Sequence, residues 1–95
     1  MESDYFTFDP EKDRLNLLKH GLSLLQGAGV YLSPDKLTLT SSRKGEERLM
    51  DVADVEQQVC VLVYVLRDKD IRFISLRLAS KQERGLYAKW ENRSN

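Results

Sequence analysis

The stretch Arg72-Phe73-Ile74-Ser75-Leu76-Arg77-Leu78-Ala79-Ser80-Lys81-Gln82-Glu83-Arg84-Gly85-Leu86-Tyr87 decides the fold, because it reads as one strand running directly into one capped helix. Ile74, Leu76 and Leu78 alternate with Phe73, Ser75 and Arg77, the period-2 pattern of a half-buried strand. Ser80 and Glu83 form an S-x-x-E capping box, in which each residue satisfies an orphan amide of the other at a helix start. The outward strand face then carries a hydroxyl and a guanidinium, with Arg84 and Tyr87 following in the helix. Two arginines and a tyrosine beside one sheet face make a candidate phosphate site.

Upstream of this unit, Asp68-Lys69-Asp70 is a tight polar hairpin tip, too short for a parallel crossover. Residues 59–66 are apolar at every position, which predicts a central strand covered on both faces. Residues 48–55 and 37–40 read as further strands, joined by a polar connection over 41–46 that contains Gly45. Residues 37–79 are therefore expected to form a four-stranded antiparallel meander. Ser33-Pro34-Asp35 is a turn signal.

The N-terminal third is helical. Tyr5-Phe6-Thr7-Phe8 alternates as a short strand, Asp9 is an N-cap candidate, and Pro10 suits the first helical position. Leu15, Leu18, Leu22 and Leu25 recur at helical spacing and are expected to face the core. Gly21 reads as a helix stop, and Ser23 with Gln26 as a second capping box, so two helices meet there. Gly27 and Gly29 keep the second helix short. The predicted order is β-α-α-β-β-β-β-α, an α+β domain with a mainly antiparallel sheet, N-terminal helices and a C-terminal helix.

Length and composition limit what this chain can be. Its 95 residues suit one domain over 1–95, and 41% apolar with 32% charged residues describes an ordinary globular protein. The longest apolar run, 59–66, is far short of a membrane span. The acidic start Met1-Glu2-Ser3-Asp4 lacks the order of a secretory signal, which points to the cytoplasm. A lone Cys60 excludes an internal disulfide and reads as an inert core thiol.

Net charge is zero but unevenly placed. Residues 1–66 hold seven Lys/Arg against eleven Asp/Glu, a balance of −4, and residues 67–95 hold eight against four, a balance of +4. The basic C-terminal third reads either as a surface for nucleic acid or an acidic partner, or as solvated charge on a terminal helix. Several chemistries drop out. One His and one Cys without metal-ligand spacing do not make a metal site. Gly27-Ala28-Gly29 is half a dinucleotide fingerprint and follows a helix rather than a strand. Asp4, Asp9, Glu11 and Asp13 are accounted for by capping and the helix dipole. His20, beside Lys19 at a helix end, is either a C-terminal cation or the one side chain whose ordinary pKa suits acid–base work near neutrality. Tyr64 and Tyr87 have packing readings, and Arg48 that of a solvated edge charge.

Taken in order, Phe8-Asp9, Lys12, Asn16, Lys19-His20-Gly21, Ser23 and Glu47-Arg48 resemble the first half of BrnT-type toxins. Val61-x-Val63-Tyr64, Arg67, Arg72-x-Ile74-Ser75-x-Arg77-x-Ala79 and Glu83-Arg84-x-x-Tyr87 continue the resemblance, which covers residues 6–88. It implies a RelE-like fold and a toxin of a type II toxin–antitoxin system: a small cytoplasmic ribonuclease, acting without a cofactor, that blocks translation. A cognate antitoxin with its own DNA-binding domain would neutralise it, so DNA would be met only through that complex. Metal-free RNA cleavage needs a base for the 2′-hydroxyl, cations for the phosphorane and a proton for the leaving oxygen. Among the matching residues, Arg48, Arg77 and Arg67 are the clamp candidates. Lys19, His20, Tyr64 and Tyr87 are the proton-transfer candidates, and Arg72, Ser75 and Arg84 are candidates for binding substrate. The alternative is a catalytically inactive relative that serves as a protein- or RNA-binding module.

Overall fold

The computed structural model describes residues 6–93, so Tyr5 and the acidic start lie outside the described residues. The elements are β1 (Phe6–Thr7), α1 (Pro10–His20), a 3-10 turn (Leu24–Gln26), α2 (Gly27–Tyr31), β2 (Leu37–Arg43), β3 (Glu46–Val55), β4 (Gln58–Leu66), β5 (Ile71–Leu78) and α3 (Lys81–Glu91). The strands form one five-stranded sheet in the order β1-β5-β4-β3-β2. β2 to β5 are an antiparallel meander, and β1 joins β5 in parallel through Phe6–Ile71 and Thr7–Arg72. This is a mixed α+β architecture, and it differs from the expected order by the inserted 3-10 turn.

Local signals set the element ends. Asp9 caps α1 by accepting from Glu11 N–H, and Gly21 stops it at φ 73°, with its N–H bonded to Leu17 O at 2.8 Å. Both capping boxes form, Ser23 with Gln26 and Ser80 with Glu83. The connection expected over 41–46 shrinks to Lys44-Gly45, at φ 54° and 77°. Glu56-Gln57, at φ 54° and 71°, makes the second two-residue turn. Paired left-handed residues are what primed hairpin turns require, since they match the twist of the flanking strands.

Central β4 is covered on both sides, as its apolar run predicts. One face packs Leu24, Val30, Cys60, Leu62, Tyr64, Phe73 and Leu76 beneath the 3-10 turn and α2. Gly27 sits so close to that face that a Cβ would lie 2.6 Å from Leu62 Cδ1. The other face packs Val52 and Val61 beneath Ala79, Tyr87 and Trp90.

Two expectations about side-chain direction fail. Leu15, Leu18 and Leu25 are 49%, 73% and 64% exposed, and Leu22 is only partly buried. The reason is that α1 lies along the edge of β5 and presents Asn16 to it. Asn16 Nδ2 donates to Leu76 O and Leu22 O, both at 2.8 Å, and Asn16 Oδ1 accepts from Leu76 N at 3.1 Å. β1 pairs with β5 only as far as Arg72, so this amide stands in for a strand partner that the edge would otherwise lack. Leu24, rather than Leu25, takes the core position.

The strict alternation expected along β5 is also broken. Tyr64 pairs with Phe73 but Val63 pairs with Ser75, leaving Ile74 as the extra residue of a bulge. A bulge inverts the side-chain parity on one side of it. Phe73 and Leu76 consequently enter the same core, while Ile74 turns toward α1 and Leu78 is half exposed.

Candidate active site

The bulge brings the end of α1 and the middle of β5 around an open cleft of about 200 Å³, lined by Lys12, Leu15, Asn16, Lys19, His20, Ile74 and Ser75. Gly21 terminates α1 so that Lys19 and His20 stand in its last turn, and Asp13 pins the following segment. Asp13 Oδ1 accepts from Ser23 Oγ at 3.0 Å and from Leu24 N at 2.7 Å. The Asn16–Leu76 bonds fix this helix end against the strand.

His20 is half-buried, and its pKa is pushed down by burial first, then by the charges of Lys19 and Arg77. A histidine held below its ordinary 6.5 is predominantly neutral at pH 7 and free to accept a proton. Arg77 is thus an electrostatic neighbour of His20 although the two lie on different elements. Its guanidinium is anchored: Nη1 and Nη2 donate to Glu83 Oε1 and Oε2 at 2.7 and 2.9 Å. Glu83 Oε1 also accepts from Ser80 N at 2.8 Å. These bonds, the Arg77 pairing foremost, hold the Glu83 carboxyl down at about 2.

Ser75 and Arg77 face the α3 side of the sheet, because they pair with Val63 and Val61. Arg48 shares that face, since it lies two residues before Met50, the partner of Val63. Continuing the register sets Arg48 beside Val65, which pairs with Arg72. The arginines therefore stand at two places on one face, separated by four residues of β4, roughly 13 Å at about 3.3 Å per residue. Arg48 and Arg77 share a face, but the guanidiniums do not converge there as the clamp expectation requires. Arg48 Nε turns to Glu46 Oε1 at 3.5 Å, the same carboxylate that Arg67 Nη2 approaches at 3.9 Å. Arg77 turns to Glu83.

The tyrosines are placed elsewhere. Tyr64 is 4% exposed on the opposite face of the sheet, where its hydroxyl donates to Asp51 Oδ1 at 3.0 Å. Burial and then the Asp51 charge push its pKa far above the ordinary tyrosine range. Tyr87 is equally buried, donates to Asp35 O at 3.1 Å and accepts from Asp54 N at 3.4 Å, and so pins α3 to the sheet. Both packing readings apply, and neither hydroxyl reaches the cleft. Arg84 donates to Ala79 O at 2.9 Å and is otherwise exposed. Among the described residues no three His, Cys, Asp or Glu side chains come together as a metal site.

A cleft that joins a histidine held toward its neutral form, two lysines and a serine, with the charge of Arg77 felt at the histidine, has groups suited to acid–base work on an anion. Residues 8–83 match the family described as ribonuclease toxin, BrnT, of type II toxin–antitoxin systems. The chain belongs to this family. No curated protein matches it. Membership in the BrnT family implies an antitoxin protein as partner. No helix among the described residues is long and apolar enough to cross a membrane.

Sequence reading missed two groups here. Glu83 reads as a helix cap, and its second role is signalled only by its place six residues after Arg77 in the strand–cap–helix unit. Asp51, wholly buried, also receives Lys36 Nζ at 2.7 Å and Thr38 Oγ1 at 2.7 Å. An aspartate in an otherwise mixed strand gives no local sign of such a network.

Proposed function

We propose that this chain, as one RelE-like domain over residues 1–95, cleaves RNA in the cytoplasm without a metal or cofactor and thereby blocks translation. The observation that carries the reading is the open cleft in which His20 stands with Lys19 and Ser75, its pKa pushed down by burial first and then by the charges of Lys19 and Arg77. Neutral His20 takes the proton from a ribose 2′-hydroxyl, and the 2′-oxygen forms a bond to phosphorus. Arg77 stabilises the doubly charged phosphorane, where a fixed cation contributes most. The P–O5′ bond then breaks, and Lys19 supplies the proton to the leaving oxygen. Ser75 hydrogen-bonds the substrate. Arg48, Arg67 and Arg72 hold neighbouring phosphates at the far end of the same sheet face, while Arg84 extends the basic surface near α3. Tyr64 and Tyr87 hold the fold together.

A cognate antitoxin carrying a DNA-binding domain neutralises the toxin by laying an acidic or amphipathic segment over the basic residues 67–95. Such a segment orders on binding and keeps RNA out. The complex, and not the toxin alone, meets DNA.

A second reading, an inactive relative kept as a protein- or RNA-binding module, is favoured by one observation: Arg77 and Arg48 both already face carboxylates. Induced expression with and without the neighbouring antitoxin gene, with RNA integrity and protein synthesis followed, separates the two. The toxin reading expects growth arrest and cut RNA, reversed by the antitoxin and abolished by His20→Ala. It also expects cleavage by the purified protein to persist in EDTA. Intact RNA and normal growth would leave the binding module.

A further inference from the structure

A guanidinium carries five N–H donors, and their use at Arg77 is uneven. Glu83 takes one hydrogen from Nη1 and one from Nη2, the end of the fork. Leu78 O lies 3.4 Å from Nη1 and takes its second hydrogen. What remains is the Nε hydrogen and the outer Nη2 hydrogen. They lie on one edge of the plane, parallel and spaced to meet two oxygens of a phosphate. Nε has no hydrogen-bond partner among the described residues, and the side chain is 30% exposed.

Glu83 is well placed to fix that edge. Its side chain is only 15% exposed, and its carboxylate is held from a second side by Ser80 N. Ser80 also accepts from Glu83 N at 3.2 Å. The orientation of Arg77 is therefore tied to the first turn of α3. A long arginine side chain otherwise loses rotamer freedom when a ligand arrives, and an anchor supplied in advance removes that loss from the binding step.

We propose that Glu83 is a positioning residue. By holding Arg77 end-on, it presents the Nε/Nη2 edge as a two-toothed binding site for one phosphate group of RNA. This rests on the reading that Arg77 meets RNA. It assigns Glu83 a part beyond helix capping, and it gives the Arg77–Glu83 pair a purpose other than neutralising the site.

The test follows the Arg77 Nε–Hε resonance of the ¹⁵N-labelled full chain during titration with inorganic phosphate, in wild type, Glu83→Gln and Ser80→Ala. Phosphate should move the wild-type resonance saturably. Glu83→Gln should weaken that binding roughly three- to tenfold, while Ser80→Ala, which removes a cap but leaves the anchor, should stay within about twofold of wild type. An unmoved wild-type resonance overturns the proposal and requires no variant to fold. So do equal losses in the two variants, which would make Glu83 a cap only, and tighter binding in Glu83→Gln, which would make it a competing anion. RNA cleavage by the same wild-type sample keeps the two readings apart. Cleavage without a phosphate response defeats the positioning role alone, and a phosphate response without cleavage defeats the ribonuclease reading alone.

Discussion

The Tyr64 hydroxyl donates to Asp51 Oδ1 at 3.0 Å, inside the face of the sheet that α2 covers. Asp51 has no exposed surface, and Lys36 Nζ meets its other oxygen at 2.7 Å while also donating to Tyr31 O at 2.8 Å. A carboxylate in that position is tolerable only because three donors converge on it. The phenol of Tyr64 belongs to this network rather than to the cleft.

Removing Asp51 leaves Lys36 facing the core without its counter-charge. Asp51→Ala should cost about 3–5 kcal/mol in urea unfolding. Tyr64→Phe removes one of the three donors and should cost about 1–2 kcal/mol, with RNA cleavage per folded molecule unchanged. A large loss of cleavage at unchanged stability would instead place Tyr64 in the chemistry.

The depressed pKa of His20 comes first from burial and then from the charges of Lys19 and Arg77. Arg77→Ala should therefore raise it toward the ordinary 6.5, as read from the imidazole proton shifts against pH. On the proposal that His20 is the base, it must be neutral, so cleavage should climb with pH along an acid limb lying below 6.5. Its contribution to stability has the same sense. The unfolded chain binds this proton more readily, so the native state loses ground as pH falls from 6.5 through the lowered value.

For Glu83 the ordinary value of 4.5 falls to about 2 in the folded protein. Its contribution is present above pH 4.5 and fades as pH drops through 2. Glu83→Gln should lower stability at pH 7 by up to about 3 kcal/mol. The gap from wild type should close in unfolding curves recorded at progressively lower pH.

Glu56 and Gln57 occupy left-handed backbone without the residues that favour it. Replacing them by Asn-Gly, as Glu56→Asn with Gln57→Gly, should stabilise the protein by about 1 kcal/mol. The β3–β4 turn lies away from the cleft, so RNA cleavage should not change. Thermal unfolding checks the first expectation and an RNA assay the second.

What the sequence determined by itself is what neighbours within a few residues decide. Ser23 with Gln26, Ser80 with Glu83, Asp9 before Pro10 and the stop at Gly21 all act within one helical turn, and each is found in the structure. The two-sided apolarity of residues 59–66 likewise placed β4 in the middle of the sheet, because a strand covered twice has no solvent face to pattern. Tertiary structure alone decided the site. The bulge at Ile74 depends on how β5 registers against β4, and it moves Phe73 into the core with Leu76 while leaving Ser75 at the cleft. Asn16 displaced the leucine stripe of α1 because an unpaired strand edge needs hydrogen bonds more than that helix needs burial. Arg77 and Glu83, or Tyr64 and Asp51, became partners through folding that carries side chains 6 and 13 residues apart into contact. Alternation and spacing along a chain specify which side of an element a residue takes, whereas a hydrogen-bond partner is chosen only when two elements meet.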